Sequence, residues 1–143
     1  MLQVQAYLFF EGRCEEALAF YRQALGAEVT ALMRYRDGPP PDANAQGCSP
    51  MPPDKVMHAN FQIGQTQLMA SDGMVQGPAQ FKGFALTLSP PTDAEAQRLL
   101  SALADGGQVQ QPLIATFFAS SFGMVTDRFG VQWMVVVPLP PPA

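Results

Sequence analysis

The sequence predicts an α+β fold: two βαβββ modules forming a curved, antiparallel-rich sheet around a cleft. Three observations carry this. Residues 56–63 alternate, with His58, Asn60 and Gln62 on one side and Ala59, Phe61 and Ile63 on the other, which is the period of a strand. Residues 14–25 and 96–103 instead repeat apolar side chains at helical spacing, and glycines stop both runs, at Gly26 and at Gly106-Gly107. The order strand, helix, three strands then occurs twice, in modules of about 1–75 and 80–137. Two such halves can curl together and leave a concave cleft, a natural place for a ligand.

The elements follow in order. Residues 3–10 alternate and are rich in aromatics, so the chain opens on a strand that Glu11-Gly12 breaks. Cys14, Ala17, Leu18, Tyr21 and Leu25 share one helical face, and Gly26 takes the position where left-handed backbone costs glycine little. Residues 27–35 read as a second strand. Residues 37–54 hold Pro39, Pro40, Pro41, Pro50, Pro52 and Pro53, which continue neither a ladder nor a helix. A loop of that length suits a lid, a subunit-crossing arm or an insert.

Residues 55–72 form two strands joined at Gly64-Gln65 and ending on Asp72. A Gly/Pro loop over 73–82 leads to a fifth strand at 83–88. Thr92-Asp93-Ala94-Glu95 fits a capping box, in which the Thr92 hydroxyl accepts from the Glu95 amide and the Glu95 carboxylate reaches back. The following helix turns Ala96, Leu99, Leu100 and Leu103 inward. Residues 108–111 are a short strand and 112–121 an irregular aromatic segment. Residues 122–126 and 131–137 are strands around an Asp127-Arg128-Phe129-Gly130 turn, and the Pro-rich tail 138–143 lies outside a single domain of 1–137.

Composition narrows the function classes. The 143 residues are 48% hydrophobic and 14% charged, as in a globular chain. Eight Lys+Arg are scattered and the net charge is −4, so no basic patch points to nucleic acid. No apolar run approaches the roughly 18 residues of a membrane span. The opening MLQVQAYLFF lacks a basic export region, so a cytoplasmic location is expected. Cys14 and Cys48 form no CxxC pattern. Both are expected as reduced thiols, Cys14 in the core and Cys48 exposed in the Pro-rich loop.

The single histidine, His58, is either a general base or a hydrogen-bonded structural residue at a strand start. Asp72 is the carboxylate that would orient it. A turn centred between residues 64 and 65 pairs Asp72 with Met57, however, and sends His58 to the opposite face. The alternative role for Asp72 is to cap the loop, and Asp127 reads as a turn residue. Gln5, Tyr7, Asn60, Gln62, Met69, Phe118 and Met134 are the candidate ligand contacts. The polar ones otherwise face solvent, and the apolar ones, with Phe9, Phe117, Phe122 and Trp133, are otherwise ordinary core. A first-row metal wants three or four His, Cys, Asp or Glu donors. With one histidine, and only Glu28 among the carboxylates well inside a predicted strand, no metal ligand and no cofactor are assigned; a divalent metal is left open.

Several motifs together resemble a known family. Glu15-Glu16-Ala17-Leu18-Ala19-Phe20-Tyr21 followed by Leu25-Gly26 looks like the first helix of the vicinal oxygen chelate superfamily, which includes glyoxalase I, bleomycin-resistance proteins and extradiol dioxygenases. Asp127-x-x-Gly130 resembles the turn before its last strand. Tyr7-Leu8-Phe9-Phe10, Met57-His58-Ala59, Leu68-Met69-Ala70-Ser71-Asp72 and the run from Phe122 to Trp133 look like its PhnB-like branch. The resemblance implies paired βαβββ modules and a homodimer. In many members it also implies a divalent metal held from strands one, four, five and eight. Those positions fall near Ala6, Met69, Phe84 to Leu86 and Met134; none is a ligand, with Gln5 adjacent to the first. Phe118-Ala119 stands where members often show Trp-Gly. No Gly-rich loop follows the first strand, as a nucleotide-binding methyltransferase would require. The expectation is a metal-free, small-molecule-binding dimer. The alternative is an enzyme of the glyoxalase/dioxygenase type that uses His58 as acid/base.

Overall fold

The structure, a computed structural model, describes residues 2–38, 52–75 and 77–140. It divides into two compact units, Met1–Ala79 and Gln80–Ala143. In the first, β1 (Tyr7–Phe9) leads into α1 (Cys14–Leu25), then β2 (Glu28–Arg34), a 3-10 turn at Tyr35–Asp37, β3 (Val56–Ile63) and β4 (Thr66–Ser71). The second repeats the order with β5 (Leu86–Leu88), α2 (Asp93–Ala104), β6 (Gln108–Ile114), β7 (Ala119–Thr126) and β8 (Gln132–Pro138). The α+β class and the doubled βαβββ order are as the sequence predicts. Most of the 37–54 loop, residues 39–51 with Cys48, lies outside the described residues, as do residues 141–143 of the tail.

Each unit has one four-stranded sheet, in the orders β1-β4-β3-β2 and β5-β8-β7-β6. The sheets are mixed rather than antiparallel throughout, because β1 pairs parallel with β4 and β5 with β8. The cause is topological. A helix returns the chain after the first strand, so the second strand repeats its direction. Two hairpin reversals then leave the fourth strand parallel to the first. The first strand is also shorter than predicted: residues 3–6 precede the ladder, although the Ala6 carbonyl accepts from the Met69 amide at 3.0 Å.

Helix α1 buries Cys14, Ala17, Leu18, Phe20, Tyr21 and Ala24. Its Tyr21 ring stacks on Phe61 of β3 at 6.3 Å and meets Phe10 at 6.1 Å. Leu8, Ala59, Phe61, Leu68 and Ala70 are likewise buried, so one face of this sheet is the core face. Burying aromatic side chains of this size contributes about 1.5–3 kcal/mol each. The helix ends as read: Gly26 has φ 69°, and the Gly26 and Ala27 amides bond back to Arg22 and Tyr21.

Helix α2 turns Ala96, Leu99, Leu100 and Leu103 inward, as predicted. Only half of the predicted capping box forms. The Thr92 Oγ1 accepts from the Glu95 amide at 3.2 Å, but the Glu95 carboxylate pairs with Arg98 one turn on. Strand β6 runs further than expected, through Pro112 to Ile114, and β7 starts at Ala119, so the segment between is shorter than read. Proline is tolerated there because β6 is an edge strand with a register shift at that point. Alternation along β7 and β8 buries Ser121, Val125, Trp133, Val135 and Val137.

Candidate functional site

The hairpin register is the one the sequence implied. Ala59 pairs with Ala70 and Phe61 with Leu68 about a turn at Gly64-Gln65. Side chains paired across a ladder share a face, so the row Ala31–Asn60–Met69–Tyr7 crosses all four strands on the side away from α1. One step along, Met33 pairs with His58 on β3, and Phe9 with Ser71 on β4. Tyr7, His58, Asn60 and Met69 are half-buried here, and Phe9 is 53% exposed.

These side chains are linked. The Tyr7 hydroxyl lies 3.0 Å from His58 Nδ1, and His58 Nε2 lies 2.9 Å from Asn60 Oδ1. The Tyr7 ring sits 4.8 Å from Phe9 and 5.5 Å from the imidazole, centre to centre. A hydrogen-bonded chain of three polar groups thus runs over a sheet face with aromatic and thioether neighbours. Such a surface combines apolar contact with a few oriented polar atoms, the pattern of small-molecule sites. Each of the three polar groups has a partner, so the chain holds its own geometry without a ligand.

Asp72 is not part of it. The carboxylate is buried and accepts from the Cys14 amide at 2.9 Å and the Val56 amide at 2.6 Å. It ties the start of α1 to the start of β3, and the structure does not bring it to His58. Cys14, beside it, has its thiol pushed up to about 12 by burial, then by the Asp72 and Glu15 charges. Gln62 is on the His58 face, but its Nε2 donates to the Gly64 carbonyl at 2.9 Å and serves the turn. Gln5 is exposed and precedes β1.

The remaining candidates are in the second unit. Met134 lies in the row Thr87–Met134–Met124–Gln111, on the face away from buried Trp133 and Val135. Phe118 is half exposed, edge-on to Phe117 at 5.2 Å and to Phe122 at 5.6 Å. Trp133 does not line a pocket: it is buried and its Nε1 donates to Asp127 Oδ2 at 2.9 Å. The other Asp127 oxygen accepts from the Phe129 and Val131 amides, so this carboxylate organises the turn, as read.

Sequence reasoning missed the contact of Tyr7 with His58, which lie 51 residues apart, and the contribution of β2 through Ala31 and Met33. Alternation in β2 was visible, but its partner strand was not. A shallow groove lies elsewhere, between α1 and β2, lined by Glu15, Leu18, Ala19, Arg22, Val29 and Leu32. Its Glu15 is already paired with Arg34 at 2.6 Å, and the groove holds none of the His58 cluster.

A divalent metal, which the glyoxalase resemblance implies, does not fit these donors. Around His58 stand a phenol, an amide and a thioether, and both imidazole nitrogens are taken. Among the described residues no group of three His, Cys, Asp or Glu side chains is placed to hold a metal ion.

Residues 3–136 match the family model described as 3-demethylubiquinone-9 3-methyltransferase. The chain belongs to this family. Protein YjdN of Escherichia coli K12 is 35% identical over 95% of each chain. The crystal structure of protein PA1353 from Pseudomonas aeruginosa is 45% identical, with a TM-score of 0.80, covering 96% of this chain and 98% of that one. A Bacillus cereus structure described as a putative 3-demethylubiquinone-9 3-methyltransferase, PhnB protein, is 27% identical at a TM-score of 0.75, over 95% and 99% of the chains. The PhnB-like resemblance read from the motifs therefore stands. A glyoxalase-related enzyme from Fulvimarina pelagi, 19% identical with a TM-score of 0.63 over 99% and 94% of the chains, shares the fold. Among the described residues no helix is long and apolar enough to cross a membrane.

Proposed function

We propose that this PhnB-like chain is a cytoplasmic, homodimeric protein that binds a small, partly apolar molecule on the helix-free face of its N-terminal sheet, without a metal. The observation that carries the reading is the Tyr7–His58–Asn60 hydrogen-bond chain, flanked by Phe9 and Met69 on the same face. Polar atoms held in a fixed order beside apolar side chains give a ligand both orientation and contact area. The dimer is supported by large apolar side chains left open by this chain, among them Phe117 at 94% exposure. Methyl transfer, the activity named in the family description, is not part of the reading. The segment after β1 is Phe10-Glu11-Gly12-Arg13, with no Gly-rich loop to hold a nucleotide-like methyl donor.

The test is a screen of small neutral compounds against protein stripped of metal by a chelator. Binding that survives stripping and is weakened at least tenfold by Met69→Glu supports the reading. Binding that appears only after a divalent ion is restored counts against it. Sedimentation should give twice the 15.4 kDa chain mass at micromolar protein.

A further inference from the structure

The Tyr7–His58–Asn60 chain fixes the direction of each hydrogen bond. Asn60 Oδ1 only accepts, so His58 Nε2 carries a hydrogen. A neutral imidazole has one N–H, so Nδ1 is an acceptor and the Tyr7 hydroxyl donates to it. The single Tyr7 proton is then committed, and Tyr7 Oη offers only lone pairs to the open face. Asn60 offers its Nδ2 hydrogens, which have no partner among the described residues.

Resting on the binding reading above, we propose that this face takes a small neutral alcohol with an apolar, ring-sized body. The alcohol's hydroxyl donates to Tyr7 Oη, whose own proton is held by His58, so a hydroxyl is preferred over an ether. The apolar body follows from its neighbours: Phe9 4.8 Å from the Tyr7 ring, and Met69 paired with both Tyr7 and Asn60. Neutrality follows from the charges nearby. Strands β1 and β4 carry none, and Tyr7 is the one titratable group on either. Strand β2 carries exposed Glu28, two rows from His58, and Arg34, which Glu15 holds. The other charges of α1, Glu16 and Arg22, belong to the helix on the opposite face. Among these groups no cation is poised to receive an anionic ligand.

The probes are benzyl alcohol and benzyl methyl ether, titrated into metal-free protein and followed by amide and imidazole NMR shifts. The alcohol should bind about fivefold more tightly than the ether, the worth of one hydrogen bond. Tyr7→Phe, which removes the acceptor, should bring the ratio near one. His58→Phe, which removes the acceptor of the Tyr7 proton and lets Tyr7 donate to either oxygen, should also bring it towards one. Should either variant fail to fold, the wild-type comparison decides alone. Two results overturn the proposal: equal affinities for the two probes, or a neutral His58 carrying its hydrogen on Nδ1. If both probes bind this face equally, the binding reading survives and only the alcohol assignment falls. If other compounds bind here but neither probe does, the outcome is the same. If no small molecule of a broad set shifts the face, both readings fall.

Discussion

The sequence offers Asp72 either as a partner for His58 or as a loop cap on the opposite face, and the structure gives the two residues separate surroundings. Asp72 satisfies two backbone amides in the core, Cys14 and Val56. Asp72→Ala leaves both donors without their acceptor and should cost about 3 kcal/mol in urea unfolding. A change near zero would show that this carboxylate does not hold the start of α1. Beside it, the Cys14 thiol is pushed up to about 12, foremost by burial. In a Cys48→Ser variant, a thiol reagent at pH 8 should find no reactive group in the folded protein and one after unfolding. The facing of His58 was legible, because a two-residue turn and a period of two fix which side chains share a face. Its bond to Tyr7 was not, since nothing local to either residue encodes which strand lies beside β4.

Among the elements, legibility followed the range of the determining interaction. The bounds of α1, Cys14–Leu25, and of β3, Val56–Ile63, come directly from local periodicity and a stop glycine. The length of β1 and the reach of β6 depend on what their neighbours pair with, and both differed from the reading. Turn chemistry was partly hidden as well. Gly107 was read only as a helix stop, yet a Cβ there would lie 2.2 Å from the Thr126 carbonyl oxygen. Gly107→Ala should therefore destabilise by at least about 2 kcal/mol, seen as a drop in Tm. An unchanged Tm would mean that the α2–β6 link relaxes freely. At the start of α2, Asp93 accepts from Ser121 at 2.6 Å and Ser120 at 2.7 Å. These hydroxyls, Ser121 first, lower its pKa below the ordinary 3.8. The folded value is the lower one, so this carboxylate's stabilisation is complete above the ordinary value and is lost as pH falls through the folded one. Asp93→Asn should flatten the acid limb of stability below about pH 4, measured by denaturation across pH. A wild-type slope in the variant would assign that limb to other carboxylates.

At the scale of the whole molecule, the doubled βαβββ order was legible because each unit repeats one local programme, and the PhnB-like family follows from it and from motifs spread along the chain. The function was less so, because its candidate site is built from separate strands whose side chains become neighbours only in the sheet. On the proposed reading, the helix-free face of the N-terminal sheet binds a small molecule without metal. The most direct test is backbone and side-chain NMR on chelator-treated protein titrated with a diverse set of small neutral compounds. Saturable shifts should cluster at Tyr7, Phe9, His58, Asn60 and Met69. Shifts that cluster elsewhere, or that require an added divalent ion, would contradict that reading.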